Sequence, residues 1–118
     1  MLLCRKSRDT VLLITPGGRI EPNESAENCI HREVTEELGP EVQAINLEYI
    51  GTYRDIAAGA ADRIVEIQLW RADLVGDPRP MAEIAELIWF GPDDDETALS
   101  PSLRNKILPD LRERGIFG

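Results

Sequence analysis

The chain predicts an α+β sandwich, on three observations. Short apolar runs of strand character occur along it in mixed order with two stretches of helical spacing. Its 118 residues are near the commonest size for a single hydrophobic core, and 42% apolar content is enough to build one. No linker or internal repeat divides it, so residues 1–118 are expected to form one domain.

The elements follow in order. "LLCRK" (2–6) and "TVLLIT" (10–15) are strand-like runs separated by the polar turn "SRD". "PGGR" breaks the second strand, and "EPNE" supplies turn and helix-start residues. Helical spacing then runs from Glu24 to Leu38 and stops at Gly39-Pro40, since proline cannot continue a helix. "QAINLEYIGTYR" (43–54) and "RIVEIQLWRADLV" (63–75) alternate apolar and polar residues and predict two longer strands, with "DIAAGAAD" (55–62) as a mobile loop between them. "GDPRPMAE" is a Pro-rich connection and "ELIWF" (86–90) a further strand. Residues 100–115 begin with Ser-Pro, space Leu103, Ile107 and Leu111 four apart and end in Gly, which predicts a second helix. Trp70, Trp89 and Phe90 have strand spacing and are expected in the core.

Composition excludes several functions. A net charge of −9 argues against coating a nucleic-acid polymer, because a phosphate backbone demands a basic face. Small phosphorylated ligands stay open if metal cations stand between the two negative partners. Cys4 and Cys29 fit no metal or redox spacing, and Cys29 is expected as a small buried hydrophobe. His31 is the only histidine, which argues against a histidine-rich metal site or a Ser-His-Asp triad. No apolar run is long enough for a bilayer and the start lacks signal-peptide features, so a soluble, cytoplasmic protein is expected.

One helical turn carries the chemistry. On a wheel of roughly 100° per residue, Ala26, Ile30, Val34 and Leu38 form the core stripe. Glu33 and Glu37 form the adjacent row, Glu36 borders them, and Ser25, Asn28, Arg32 and Thr35 lie opposite. Like charges three or four apart repel by a few tenths of a kcal/mol, ~0.2–0.5 per pair. Negative charge late in a helix also opposes its dipole. A solvated acidic face tied down by Arg32 is the usual reading of such a run. Carboxylates flanking the core favour instead a cation among the oxygens, and hard oxygen ligands suit Mg²⁺ or Mn²⁺.

Gly18, Glu24 and "REVTEELG" resemble the Nudix box, the signature of the Nudix hydrolases. Its specified residues are Gly18, Glu24, Arg32, Glu33, Glu36, Glu37 and Gly39, with Val34 at the internal aliphatic place. Pro40 stands where the family usually has an aliphatic residue. "LLCRK", "TPGGR" and "AEIAELIWF" are similar to the family's flanking segments, so nearly the whole chain is covered.

The resemblance implies an α/β/α sandwich with a mixed sheet between helices, and metal-dependent hydrolysis of a diphosphate linkage in a nucleoside diphosphate derivative. The substrate could be a nucleoside triphosphate or an oxidised one, as in the nucleotide-pool-sanitising branch. It implies Mg²⁺ (or Mn²⁺) held by Glu33, Glu36, Glu37 and the Gly17 carbonyl, with Arg32 orienting the glutamates through Glu24. A carboxylate outside the box, Glu83 or else Glu86, would serve as base. Arg5 and Arg19, which flank the start of the box, are candidate phosphate contacts. The alternative is a Nudix-fold nucleotide-binding or regulatory module without efficient hydrolysis. Nudix domains usually have a strand before the one corresponding to "LLCRK", so an exposed sheet edge is expected, covered by upstream residues or, more economically, by a homodimer.

Overall fold

The computed structural model describes residues 1–6, 12–57 and 60–117. It is α+β, as the pattern predicts. Strand β1 (Leu2–Arg5) pairs antiparallel with β4 (Glu86–Trp89), and β2 (Gln43–Ala57) forms a long antiparallel hairpin with β3 (Ala60–Val75). Among the described residues the parallel component expected of a mixed sheet is the one bridge Leu13 to Leu99, while Ile14 bridges antiparallel to Cys4. Part of the expected strand 10–15 and all of "SRD" lie outside the described residues.

Helix α1 spans Ala26–Leu38. Its start is fixed by Ser25, whose hydroxyl accepts the Asn28 N–H at 3.0 Å, and its end by Gly39 at φ 128°. The second helix is interrupted. A π-helical turn over Leu103–Ile107 precedes α2 (Leu108–Glu113), with the Leu108 N–H bonded back to the Leu103 carbonyl. Pro109 is the physical reason: it has no N–H to donate and its ring crowds the carbonyl four residues before, so the preceding turn widens. The spacing still delivers its residues, for Leu103, Ile107 and Leu111 are all buried.

Strand alternation places the two sides of the molecule. Leu3 joins Leu13, Ile50, Phe90, Leu99 and the C-terminal helical residues in the main core. Cys4 faces the opposite way and is equally buried, its thiol pushed up to about 12 by burial with the Glu37 charge adding to it. Both faces of β1 are therefore covered. Tyr53 Oη donates to Asp110 at 2.5 Å, and Arg114 Nη1 donates to the Ile50 carbonyl at 3.0 Å, which ties α2 to β2.

Two expectations need correction. Residues 55–62 are not all loop: β2 continues to Ala57 and β3 begins at Ala60, with 58–59 outside the described residues. Trp89 is not core. It is 66% exposed, because it alternates with the buried Phe90 at the end of β4, whereas Trp70 is half-buried and meets Tyr49 edge-on.

Candidate active site

The box is built where α1 meets the glycine segment before it and the loop after β3. Glu33 and Glu37 lie against the protein, their side chains 13% and 4% exposed, while Glu36 is 54% exposed at the rim. The carboxylate row is thus turned towards the protein as the wheel predicts, but of the expected core stripe only Leu38 is buried, while Ala26, Ile30 and Val34 are half-buried and border an open groove. Gly18 explains itself by contact: a Cβ there would sit 2.6 Å from the Glu33 carboxyl carbon. The missing side chain lets the backbone lie on that carboxylate.

Two cations divide the carboxylates between them. Arg32 holds Glu24 in a fork, Nε to Oε2 at 2.8 Å and Nη2 to Oε1 at 3.0 Å. Its Nη1 donates to Glu33 at 2.7 Å and reaches Glu36 at 3.5 Å, and its Nη2 also donates to the Arg19 carbonyl at 2.9 Å. The wheel puts Arg32 opposite the glutamates. Its long stem brings the guanidinium round to them, which the position of a Cα does not reveal.

The second cation is Lys6. Its Nζ donates to the Gly17 carbonyl at 3.0 Å and lies 3.2 Å from Glu37 Oε1 and 3.9 Å from Glu83 Oε1. Glu37 Oε2 accepts the Gly17 N–H at 3.2 Å. Burial pushes the Glu37 carboxyl up, and Lys6 and the Gly17 N–H only partly pull it back. Burial lowers the Lys6 ammonium, and the Glu37 charge and hydrogen bond, joined by Cys4 and Glu83, together more than offset this, so it ends above its ordinary value.

Sequence reasoning named Arg5 and missed Lys6. The signal was alternation: Lys6 is two residues from Cys4 on the face towards α1, whereas Arg5 follows Leu3 on the other face. There Arg5 sits opposite Glu86 in the strand register, with Nε 3.7 Å from Oε1. The structure therefore separates the two late carboxylates. Glu86 belongs to the sheet pair, and Glu83 reaches the box. The loop carrying Glu83 is lashed to the end of α1, where the Arg79 and Met81 N–H groups donate to the Leu38 and Glu37 carbonyls at 2.8 and 3.0 Å. Those carbonyls would otherwise lack partners at a helix end. Arg19 is exposed beside the glycines.

The donor set fits a hard divalent cation in kind: carboxylate and carbonyl oxygens with no sulfur or imidazole among them. Among the described residues Glu24, Glu33, Glu36 and Glu37 pair with Arg32 and Lys6, and the same two cations also meet Glu21 and Glu83, so carboxylates outnumber cations there. An ammonium already rests on Gly17 and Glu37. The side chains are not preassembled, however. Among the described residues no three His, Cys, Asp or Glu side chains converge on one point, because Arg32 draws Glu33 and Glu36 one way and Lys6 draws Glu37 another.

An open groove of about 1480 Å³ runs from Gly17, Gly18, Arg19 and Glu33 to the edge of β3 that pairs with no other strand among the described residues. Residues 65–74 of β3 all border it, which only a strand seen edge-on can do.

The network makes a pH prediction. Hydrogen bonding by Arg32 holds the Glu24 carboxyl down at about 2, against an ordinary 4.5. A carboxyl depressed in the folded state contributes stability that is complete above its ordinary value and is lost as pH falls through the folded one. The melting temperature is expected to fall between about pH 4.5 and 2, and Glu24→Gln should flatten that fall. An unchanged pH profile in the variant would remove Glu24 from the account.

These features together define a Nudix domain, and the chain belongs to that family: its model, described as NUDIX domain, matches residues 1–111. The chain is 30% identical over 78 residues to the CTP pyrophosphohydrolase of Escherichia coli, a match covering 66% of this chain and 54% of that protein. It is 54% identical over 35 residues to the NAD-capped RNA hydrolase NudC of Pseudomonas syringae, covering 30% of this chain and 12% of that one. A Bacillus subtilis protein provisionally named the 8-oxo-dGTP diphosphatase YtkD is 36% identical over 59 residues, which is 50% of this chain and 34% of that protein. The chain thus spans about half the length of the first relative and less of the others. No solved structure matches it significantly.

Proposed function

We propose that the protein is a divalent-metal-dependent Nudix pyrophosphohydrolase acting on a small nucleoside diphosphate derivative. The observation that carries the proposal is Glu37, a carboxylate 4% exposed that shares a cation with the Gly17 carbonyl in a domain of this family. Mg²⁺, with Mn²⁺ as substitute, would be held by Glu37, Glu33, Glu36 and the Gly17 carbonyl. When bound, it supplies charge neutralisation at phosphate and a lowered pKa for water. Arg32 positions Glu24, Glu33 and Glu36, Arg19 faces the groove as a phosphate contact, and Glu83 takes the proton from the attacking water. Arg5 pairs with Glu86 on the sheet, which favours Arg19 over it as the phosphate contact.

The groove exceeds the roughly 300–1,000 Å³ of an ordinary ligand cavity, so a nucleotide would fill only part of it. We place residues 1–118 in one domain and the protein in the cytoplasm. Among the described residues no helix is long and apolar enough to cross a membrane. A homodimer is part of this reading, since among the described residues β3 pairs only with β2 and carries Ile64, 70% exposed. Light scattering showing a monomer at micromolar concentration would remove it.

The activity is tested with Mg²⁺ and a panel of CTP, dGTP, 8-oxo-dGTP, NAD and NAD-capped RNA, scoring pyrophosphate and phosphate separately. Release of pyrophosphate or a nucleoside monophosphate from a small nucleotide supports the reading. Tight binding of a nucleotide without turnover would favour the regulatory module instead.

A further inference from the structure

Lys6 gathers three oxygens from three separate segments: the Gly17 carbonyl, Glu37 Oε1 on α1 and Glu83 Oε1 on the loop after β3, at 3.0, 3.2 and 3.9 Å. An ammonium has three donors and no acceptor; Lys6 spends one on the Gly17 carbonyl, meets Glu37 at close ion-pair distance and leaves Glu83 at the outer limit of one. The Glu37 side chain is 4% exposed, so the oxygens that Lys6 meets lie largely out of reach of bulk water. A hard divalent ion seeks the same lone pairs at shorter distance, about 2.0–2.6 Å. With both cations on Gly17 and Glu37, three positive charges would sit within a few ångströms in a poorly solvated corner.

We infer that Lys6 and the divalent ion are mutually exclusive occupants of the Gly17–Glu37 oxygen pair. Metal binding expels the ammonium, and Lys6 sets the metal affinity by competing for the site. This rests on the metal reading above. Lys6 is accordingly a positioning residue. It occupies the Gly17 and Glu37 oxygens and lies near Glu83 until the ion arrives, and weakens metal binding as the consequence.

The test is a titration with Mn²⁺ alone, without nucleotide, followed by electron paramagnetic resonance. Lys6→Met should bind the ion about tenfold more tightly than the wild type, which corresponds to removing one competing charge interaction. Lys6→Arg keeps the charge and should bind like the wild type. Arg104→Met removes an exposed positive charge from the turn before α2, which makes none of the box contacts, and should change little. Equal or weaker binding in Lys6→Met overturns the competition while leaving the metal site standing. If neither protein binds Mn²⁺, the metal reading falls and the competition with it.

A second measurement covers the case in which Lys6→Met does not fold. The chain has two lysines, Lys6 and Lys106, so two Nζ resonances are expected and Lys106→Arg assigns them. Adding Mg²⁺ to the wild type should move the Lys6 Nζ signal to that of a hydrated ammonium and leave Lys106 in place. An unmoved Lys6 signal at saturating Mg²⁺ overturns the inference.

Discussion

Glu37→Gln is expected to lower turnover on the order of a thousandfold while the fold stays in place. The carboxylate is almost buried, and glutamine keeps an oxygen for the Gly17 N–H but brings no charge. A metal's stabilisation of developing charge is worth several kcal/mol, and each ~1.4 kcal/mol is tenfold in rate. Stability should move by only about 1 kcal/mol either way, since relief from burying a charge offsets the lost pairing with a half-exposed lysine. Glu36→Gln should also reduce turnover strongly, although Glu36 lies at the exposed rim. Steady-state kinetics with Mg²⁺, alongside thermal melts, measures both effects. Near-wild-type turnover in Glu37→Gln would place the ion elsewhere.

Glu83→Gln is the second large effect. Proton transfer by a positioned side chain contributes roughly 10²–10⁴-fold, so kcat should drop by about that range with little change in KM. Glu83 is 73% exposed and 3.9 Å from Lys6, free enough to swing yet tethered by the Met81 bond to the end of α1. Glu86→Gln should leave kcat near the wild type, because Glu86 pairs with Arg5 on the sheet. Full activity in Glu83→Gln with a dead Glu86→Gln would reverse the roles. Full activity in both would put the base within the box.

The spacing of Leu103, Ile107 and Leu111 and the row of Glu33 and Glu37 were legible because helical periodicity fixes which residues share a face. The fork from Arg32 to Glu24 followed from the family resemblance, since the two residues are eight apart and no periodicity rule joins them.

What escaped was set by non-local contact. Choosing Lys6 over Arg5 needs the knowledge that Cys4, not Leu3, faces α1, and an apolar strand buried on both sides hides its own phase. Trp89 reads as core by type but stands at the sheet's edge. The π-turn was visible in principle from Pro109 inside a helical pattern. Arg32 drawing Glu33 from Glu37 could not be foreseen, because Cα spacing says nothing of how long charged side chains choose among partners.

The central claim is that the glutamate turn and the Gly17 carbonyl hold a divalent ion. Anomalous scattering from crystals grown with Mn²⁺ tests it most directly. The account predicts a manganese peak bonded to Glu37 and the Gly17 carbonyl, with Glu33 or Glu36 turned from Arg32 towards it and the Lys6 ammonium displaced. A peak elsewhere, or a crystal saturated with Mn²⁺ in which Lys6 still bridges Gly17 and Glu37, would contradict it.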